Sequence, residues 1–325
     1  ASKSSYSTLQ DFIQGKGFHD GKTFLEAVQE RQERCLQNNG QPILEGITTG
    51  YENLDKKING LMDTNLIVVG ARPAMGKSAF GLNLALNAIK DKKKVGMFSL
   101  EMGDDQFIER LISAASGVNA RDIKSGAVSN KEFQKLVVGV NDMLGDDLLV
   151  DSHFGLKITE LRGRARKWVF KDKVDLIIID YLQYIGGAGN KRYENRQVEV
   201  SEISKALKGL ARELNIPIVC LAQLNRKASD TETIKRPSMT ELRESGAIEQ
   251  DADIILLLHR PEYYDKAMRP GICEVIIAKN RHGESGEVDL LFNKNIQRFD
   301  NCPTFEEEMN KTRTAKNVTS FTFDE

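Results

Sequence analysis

Apolar, β-rich runs that alternate with amphipathic stretches fix the class of this chain before any residue is assigned a task. The runs lie at 66–70, 95–100, 147–151, 174–180, 216–222, 253–258 and 274–278, and helical stretches fall near 78–91, 104–116, 130–144, 158–171 and 195–214. In the last stretch Val200, Ile203, Leu207, Leu210 and Leu214 recur at steps of three and four, the period of a core-facing helix. Strands that are apolar throughout must be covered on both faces, and strands separated by helices pair in parallel. The spacing therefore predicts an α/β fold, a mostly parallel twisted sheet with helices on both faces. The segments 272–280, 287–292 and 296–300 have no helix between them and predict an antiparallel extension at the C-terminal end. The sequence shows no internal repeat.

At 325 residues, 40% hydrophobic and 29% charged, the chain suits one large or two modest globular domains. No apolar run approaches the length of a membrane span, and the N-terminus lacks the apolar core of a signal peptide. Cys35, Cys220, Cys273 and Cys302 are scattered, with neither a zinc spacing nor a disulfide framework, and Cys220 and Cys273 fall in strand-like runs as small core residues. A cytoplasmic protein is expected. The net charge of −1 weighs weakly against a protein that coats nucleic acid from outside and little against one that holds a strand in a loop-lined channel. The first residues, ASKSSYSTLQ, start without Met, as either a processed end or the cut end of a longer protein would.

Between the strand LIVVG and the helical pattern GLNLALNAIKD lies ARPAMGKSAF, residues 71–80. A helix N-terminus offers unpaired N–H groups and partial positive charge, and Gly76 lets the backbone curl around an anion. Lys77 then reaches outer phosphates and the Ser78 hydroxyl serves a Mg²⁺ ion. The expected nucleotide-binding set is Arg72, Pro73, Ala74, Met75, Gly76, Lys77, Ser78 and Ala79. The generic phosphate loop has Gly where this chain has Ala71, so three of its four fixed positions are met.

Ligands of such sheets bind at the carboxyl ends of strands. Asp180 follows LIII and fits the carboxylate that holds Mg²⁺ through its water shell; a merely solvated strand end is the bland alternative. Glu101 follows VGMFSL and fits the group that orients and deprotonates water, unless it serves only as charge near the helix that starts at Gly103. Gln223 after IPIVCLA fits a reporter of the γ-phosphate, or else a strand-end hydrogen bond. ILLL leads to His259 and Arg260. Lys279 and Arg281 after EVIIA fit a source of positive charge for a transferring phosphoryl group, across a subunit boundary, or else a solvated turn.

Two further segments read as nucleic-acid loops. GGAGNKRYENRQ, 186–197, carries Lys191, Arg192 and Arg196, and 224–246 is long for a structureless connection. Tyr193 alone offers a stacking platform there, so a single strand would be gripped by its phosphates without much sequence preference. Near the N-terminus Thr23 and Glu26 read as a capping box opening a short amphipathic helix whose stripe (Phe24, Leu25, Val28, Cys35, Leu36) packs on its own domain or on a neighbouring subunit.

The stretches GARPAMGKS, FSLEM, LIIIDYLQYI, LAQLNR, LRESGAIEQDADIILLLHR and IIAKNRHGESG follow in that order across residues 70–286. Together they resemble the C-terminal ATPase domain of the DnaB-type replicative DNA helicases of bacteria and phages, in the RecA-like superfamily. Ala at position 71 is common in that family. The resemblance implies a RecA-like P-loop ATPase core using ATP and Mg²⁺, working as a hexameric ring that travels 5′→3′ along single-stranded DNA within the primosome. It implies that Lys77 and Ser78 serve phosphate and magnesium, Asp180 is the Walker B aspartate, Glu101 the catalytic glutamate and Gln223 the polar sensor. Lys279 and Arg281 match the basic pair that reaches the neighbouring subunit's nucleotide. Arg243, Glu244 and Gly246 match the segment that contacts the single-strand backbone, and the Thr23–Leu36 helix corresponds to the family's docking helix.

The expected organisation is a linker with its docking helix over 1–45, the RecA-like ATPase and helicase domain over 46–301, and a polar, flexible tail over 302–325. Family members carry a separate helical domain before the linker, tied to primase binding and ring organisation. Its absence here predicts a fragment and puts primase, the helicase loader and ring closure in question for this chain alone. A filament-forming DNA-dependent ATPase of the recombinase kind shares the fold, but LRESGAIEQDAD and KNRHG fit the helicase better. A non-catalytic nucleotide-gated adaptor would have no need of both Glu101 and Asp180.

Overall fold

The protein is described here as a computed structural model covering residues 21–38, 43–143, 147–187, 196–224 and 236–303. The chain divides between Leu44 and Glu45 into two units. In the first, helix α1 spans Gly21–Gln37. Thr23 therefore lies inside the first turn, which corrects its expected place as the capping residue. The helical period starts before the Thr-x-x-Glu spacing does.

The second unit is built on one sheet. Its strands are β1 (Leu66–Ala71), β2 (Val95–Ser99), β3 (Leu148–Asp151), β4 (Leu176–Asp180), β5 (Ile218–Gln223), β6 (Ile254–His259), β7 (Ile272–Asn280), β8 (Gly286–Asn293) and β9 (Arg298–Asn301). They lie in the order β3-β2-β4-β5-β1-β6-β7-β8-β9. Strands β1 to β6 pair in parallel, and β7, β8 and β9 turn back on one another antiparallel, as the missing helices between them require.

The helices of this unit are α2 (Glu52–Ile58), α3 (Lys77–Lys90), α4 (Asp104–Ser116), α5 (Ala120–Ser125), α6 (Asn130–Met143), α7 (Ile158–Lys167), α8 (Arg196–Leu214) and α9 (Gly246–Asp251). Successive residues of β1 alternate between two hydrophobic cores. Ile67, Val69 and Ala71 join Phe80 and Leu84 of α3 and Phe107 and Leu111 of α4 on one face. Leu66 and Val68 join Leu161 of α7 and Val200, Ile203, Leu207 and Leu210 of α8 on the other. A strand buried on both sides has no polar face to offer, which is why the run reads as apolar throughout.

Elements shorter than two helical turns escape a periodicity reading, and α2 and α5 are of that kind. Helix α2 depends on Asp55, whose buried carboxylate accepts from Thr48 Oγ1 at 2.6 Å, Thr49 N at 2.9 Å and Thr49 Oγ1 at 2.7 Å. The helix expected to run to 171 widens into a π-turn over Trp168–Asp172. There Trp168 stacks on Phe98 with ring centroids 4.4 Å apart. Gly96 makes room for it, since a Cβ at that position would lie 2.6 Å from the indole. Cys220 and Cys273 are buried, and burial pushes both thiols up, that of Cys273 to about 12. No described helix is long and apolar enough to cross a membrane. The flexible segments expected at 186–197 and 302–325 fall, over 188–195 and from 304 onward, outside the described residues.

The phosphate-loop helix is anchored through Phe80, which lies parallel to Tyr51 at 5.7 Å and edge-on to Phe299 at 5.4 Å. Truncation in so tight a cluster leaves a cavity. Phe80→Ala is expected to cost about 3–5 kcal/mol of unfolding free energy, read from urea melts followed by circular dichroism.

Candidate active site

The carboxyl ends of β1, β5 and β4 stand side by side because β5 runs between the other two, with Ala71 level with Gln223. From β1 the chain enters the loop 72–76, in which Ala74 (φ 64°) and Gly76 (φ 98°) adopt left-handed conformations. Gly76 caps α3, and a Cβ there would sit 3.2 Å from Phe299 as well as strain the backbone. The first N–H groups of α3, on Lys77, Ser78 and Ala79, have no partner within the helix and face an anion site by construction.

Lys77 draws the chemistry together. Its ammonium lies 2.6 Å from Asp180 Oδ1, 3.4 Å from Glu101 Oε2 and 3.8 Å from the centre of the Tyr181 ring. Asp180 is buried, its side chain 3% exposed, and the ammonium supplies the charge partner a carboxylate needs there. Glu101 is held beside it because Leu100 N donates to the Asp180 carbonyl at 2.7 Å, which ties the ends of β2 and β4. Burial, then the neighbouring Tyr184, raises the Tyr181 hydroxyl above its ordinary value. Gln183 braces Gln223 from behind: its Nε2 donates to the Gln223 carbonyl at 3.1 Å, and Gln223 N donates back to Oε1 at 3.3 Å.

A cavity of ≈ 370 Å³ opens over the loop, lined by Arg72, Pro73, Ala74, Gly76, Lys77, Ser78, Ala79, Glu101 and Gln223 among others. Met75 turns instead into the core. The Arg72 guanidinium also turns inward, to Glu241, so that its residue borders the cavity while its charge is spent elsewhere. The far wall comes from residues that sequence reasoning had not assigned: Arg110, Arg260, Phe292, Lys294 and Gln297. The Arg260 guanidinium lies 4.6 Å over the Phe292 ring and donates to the Ala74 carbonyl at 3.4 Å. The available signal was Arg260 at the end of β6; the residues of the β8–β9 turn carry none.

As to a divalent ion, Ser78 and Asp180 are hard oxygen donors at the foot of the loop. Such a pair suits Mg²⁺, which keeps most of its waters and takes few protein ligands beside phosphate oxygens. Among the described residues no group of three or more His, Cys, Asp or Glu forms a protein-only metal cage.

Lys279 and Arg281 are elsewhere. Strand β7 runs against β6, with Lys279 opposite Ile255 and Glu274 opposite His259, so its carboxyl end lies at the edge of the sheet away from the phosphate loop. There Lys279 Nζ donates to the carbonyls of Glu249 (2.6 Å) and Ala252 (2.7 Å), at the end of α9. Arg281 Nη1 lies 3.2 Å from Asp253 Oδ1, and its Nη2 donates to the Gln250 carbonyl. Burial, then the charge of Arg281, lowers the Lys279 ammonium below its ordinary value. Arg243 and Glu244 lie on the backbone of a 3₁₀ segment, Met239–Ser245, and Gly246 opens α9. Lys191 and Arg192 are outside the described residues.

The DnaB-like helicase C-terminal domain, as a family, matches residues 46–301. This chain belongs to that family. Its relatives include the replicative DNA helicase DnaC of Bacillus subtilis (strain 168), 39% identical over 312 residues that make up 90% of this chain and 68% of that protein. The replicative DNA helicase DnaB of Geobacillus stearothermophilus is 39% identical over 286 residues, 87% of this chain and 62% of the relative. The chain thus spans about two thirds of the length of these relatives. Among solved structures, the ATPase domain of G40P superposes with a TM-score of 0.78 at 34% identity, covering 88% of this chain and all of that one. A DnaB-like replicative helicase, solved in work on its interactions with primase, gives 0.76 at 35% identity over 86% of this chain and 66% of the other. The RecA-like ATPase fold follows from these neighbours, and the relatives favour the helicase over the recombinase.

A test of the buried polar layer beneath the loop concerns His259, at the end of β6. It is 2% exposed, with Glu274, Arg236, Arg72 and Glu241 around it, and burial lowers its pKa. Below the ordinary imidazole value of about 6.5 the unfolded chain therefore binds a proton that the folded chain refuses, and stability falls as the pH drops, by up to about 1.4 kcal/mol per pH unit from this group. Melting temperatures between about pH 5 and 7 should show a slope that His259→Gln makes shallower.

Proposed function

We propose that this chain is the ATP-driven motor of a replicative DNA helicase, hydrolysing ATP with Mg²⁺ at a site shared between subunits and drawing single-stranded DNA through a ring of copies, 5′→3′. The observation that carries the reading is the meeting of Lys77, Asp180 and Glu101 at the carboxyl edge of the sheet. Mg²⁺, when bound, would supply positive charge that offsets the phosphate charge of the nucleotide. The N–H groups at the start of α3 bind those phosphates, Lys77 moves its charge from Asp180 onto them, and Asp180 and Ser78 hold the ion. Glu101, the more exposed carboxylate, accepts a proton from the attacking water. Gln223, with its backbone fixed by Gln183, senses the γ-phosphate at the start of the segment that leads to Arg243, Glu244 and Gly246. These three, with Lys191 and Arg192, make the proposed DNA contacts. The docking helix α1, and contacts with primase and a loader through the whole protein, belong to the same reading.

Lys279 and Arg281 lie at the wrong edge to serve the phosphate loop of their own chain, which supports a role in trans. Lys77→Ala and Arg281→Ala are each expected to lower DNA-stimulated ATP hydrolysis by about 10³-fold or more. Mixed together they should recover activity, because a Lys77→Ala subunit still donates Arg281 to the intact loop of an Arg281→Ala subunit. A steady-state assay across protein concentration reads this, and absence of recovery in mixed assemblies would overturn the shared site. Filaments of variable length in electron micrographs, instead of rings, would favour the recombinase reading.

A further inference from the structure

Arg72, the first residue after β1, sends its guanidinium away from the cavity. Nε lies 2.9 Å from Glu241 Oε2, Nη2 lies 2.9 Å from Glu241 Oε1, and Nη1 donates to the Tyr264 hydroxyl at 3.0 Å. Both charged side chains are 3% exposed. Glu241 also opens the 3₁₀ segment Met239–Ser245, where Ser238 N donates to its Oε1 at 3.2 Å within a capping box. One carboxylate therefore fixes the start of the segment that carries Arg243 and Glu244 and fastens it to the first residue of the phosphate loop. A two-pronged arginine–carboxylate pair allows little sliding or rotation, and burial leaves neither partner an alternative in water.

We infer that Arg72 and Glu241 are a positioning pair that makes the grip of the 239–246 segment on single-stranded DNA depend on what the phosphate loop holds. The inference rests on the function proposed above and assigns a route to it. When phosphate draws the loop into register, Arg72 moves with the loop and Glu241 moves with Arg72. The turn that presents Arg243, Glu244 and Gly246 follows. The route is separate from the one through Gln223, because it enters the segment from its amino end by a side-chain pair instead of along the backbone from β5. By linkage, the effect is reciprocal: DNA on the segment alters nucleotide affinity by the same factor.

The test uses the full chain and Glu241→Gln, which keeps the size of the side chain and removes the ionic fork. Affinity for a fluorescent oligothymidylate is measured with Mg²⁺ alone and with Mg²⁺ and a slowly hydrolysed ATP analogue, together with unstimulated hydrolysis and melting temperature. The unmodified chain should show a nucleotide-dependent affinity ratio within the range of about 5–150-fold typical of coupled sites. In Glu241→Gln that ratio should collapse at least about fivefold towards unity, with unstimulated hydrolysis held within about twofold. Arg72→Lys, which leaves the buried carboxylate a charge partner but not a fork, should lose the ratio too and serves if Glu241→Gln does not fold. An uncoupled unmodified chain overturns the proposed function and this inference with it. A coupled unmodified chain beside an equally coupled variant overturns the inference alone. So does a variant whose melting temperature falls while its ratio stands, because the pair is then only structural, and so does one that loses hydrolysis and DNA binding together.

Discussion

Because β1, β2, β4, β5 and β6 all run the same way, their carboxyl ends share one edge, and whatever the chain needs for phosphate chemistry has to leave the sheet there. Strand β1 occupies the middle of that edge between β5 and β6, with both faces buried. Its loop is anchored where it runs into α3, by Phe299 and Phe292 against Gly76, and by Glu241 through Arg72. The left-handed turn at Ala74 costs strain that such packing supports, while Gly76 adopts its own without a steric penalty.

The ion pair of Lys77 and Asp180 shows how the edge stays intact. A carboxylate and an ammonium buried together satisfy one another, where either alone would be expensive. On the proposed reading, a triphosphate and a divalent cation offer each partner a replacement of the same sign, so one arrangement of charges is exchanged for the other without leaving a bare charge in the interior. Asp180 and the Glu101 carboxylate beside it leave the ends of β4 and β2, which Asp180 and Leu100 join through the backbone, while Lys77 comes to them from the start of α3.

Much of this was legible in the sequence because it depends on short-range order. The Gly-Lys-Ser run next to a strand announces its chemistry locally, and the strand-end rule brings Glu101, Asp180 and Gln223 to the same edge from stretches far apart. The direction of β7 decides where Lys279 and Arg281 stand, and the missing helices after β6 gave it away. What escaped depends on pairings with no local signature. Arg72 and Glu241 are separated by most of the domain, and no local pattern around either residue announces the pair. The cavity wall of Phe292, Lys294 and Gln297 comes from a hairpin whose sequence looks like any other turn. Thr23 and Glu26 match a capping pattern that the helix overruns, since a spacing of two residue types carries less weight than a continuous helical period.

The antiparallel return of β7 puts Lys279 and Arg281 at the opposite edge of the sheet from the loop 72–76. On the proposed reading, copies that serve one another must then stack head to tail, a contact that joins different patches instead of mirroring one patch on itself. In an open row of such copies, the first holds a phosphate loop that no basic pair reaches and the last presents a basic pair with nothing to serve. The row always has one fewer working junction than it has members. Curving it round until the two ends meet supplies the missing junction and leaves no copy idle, so circularity adds catalytic capacity without a single new residue.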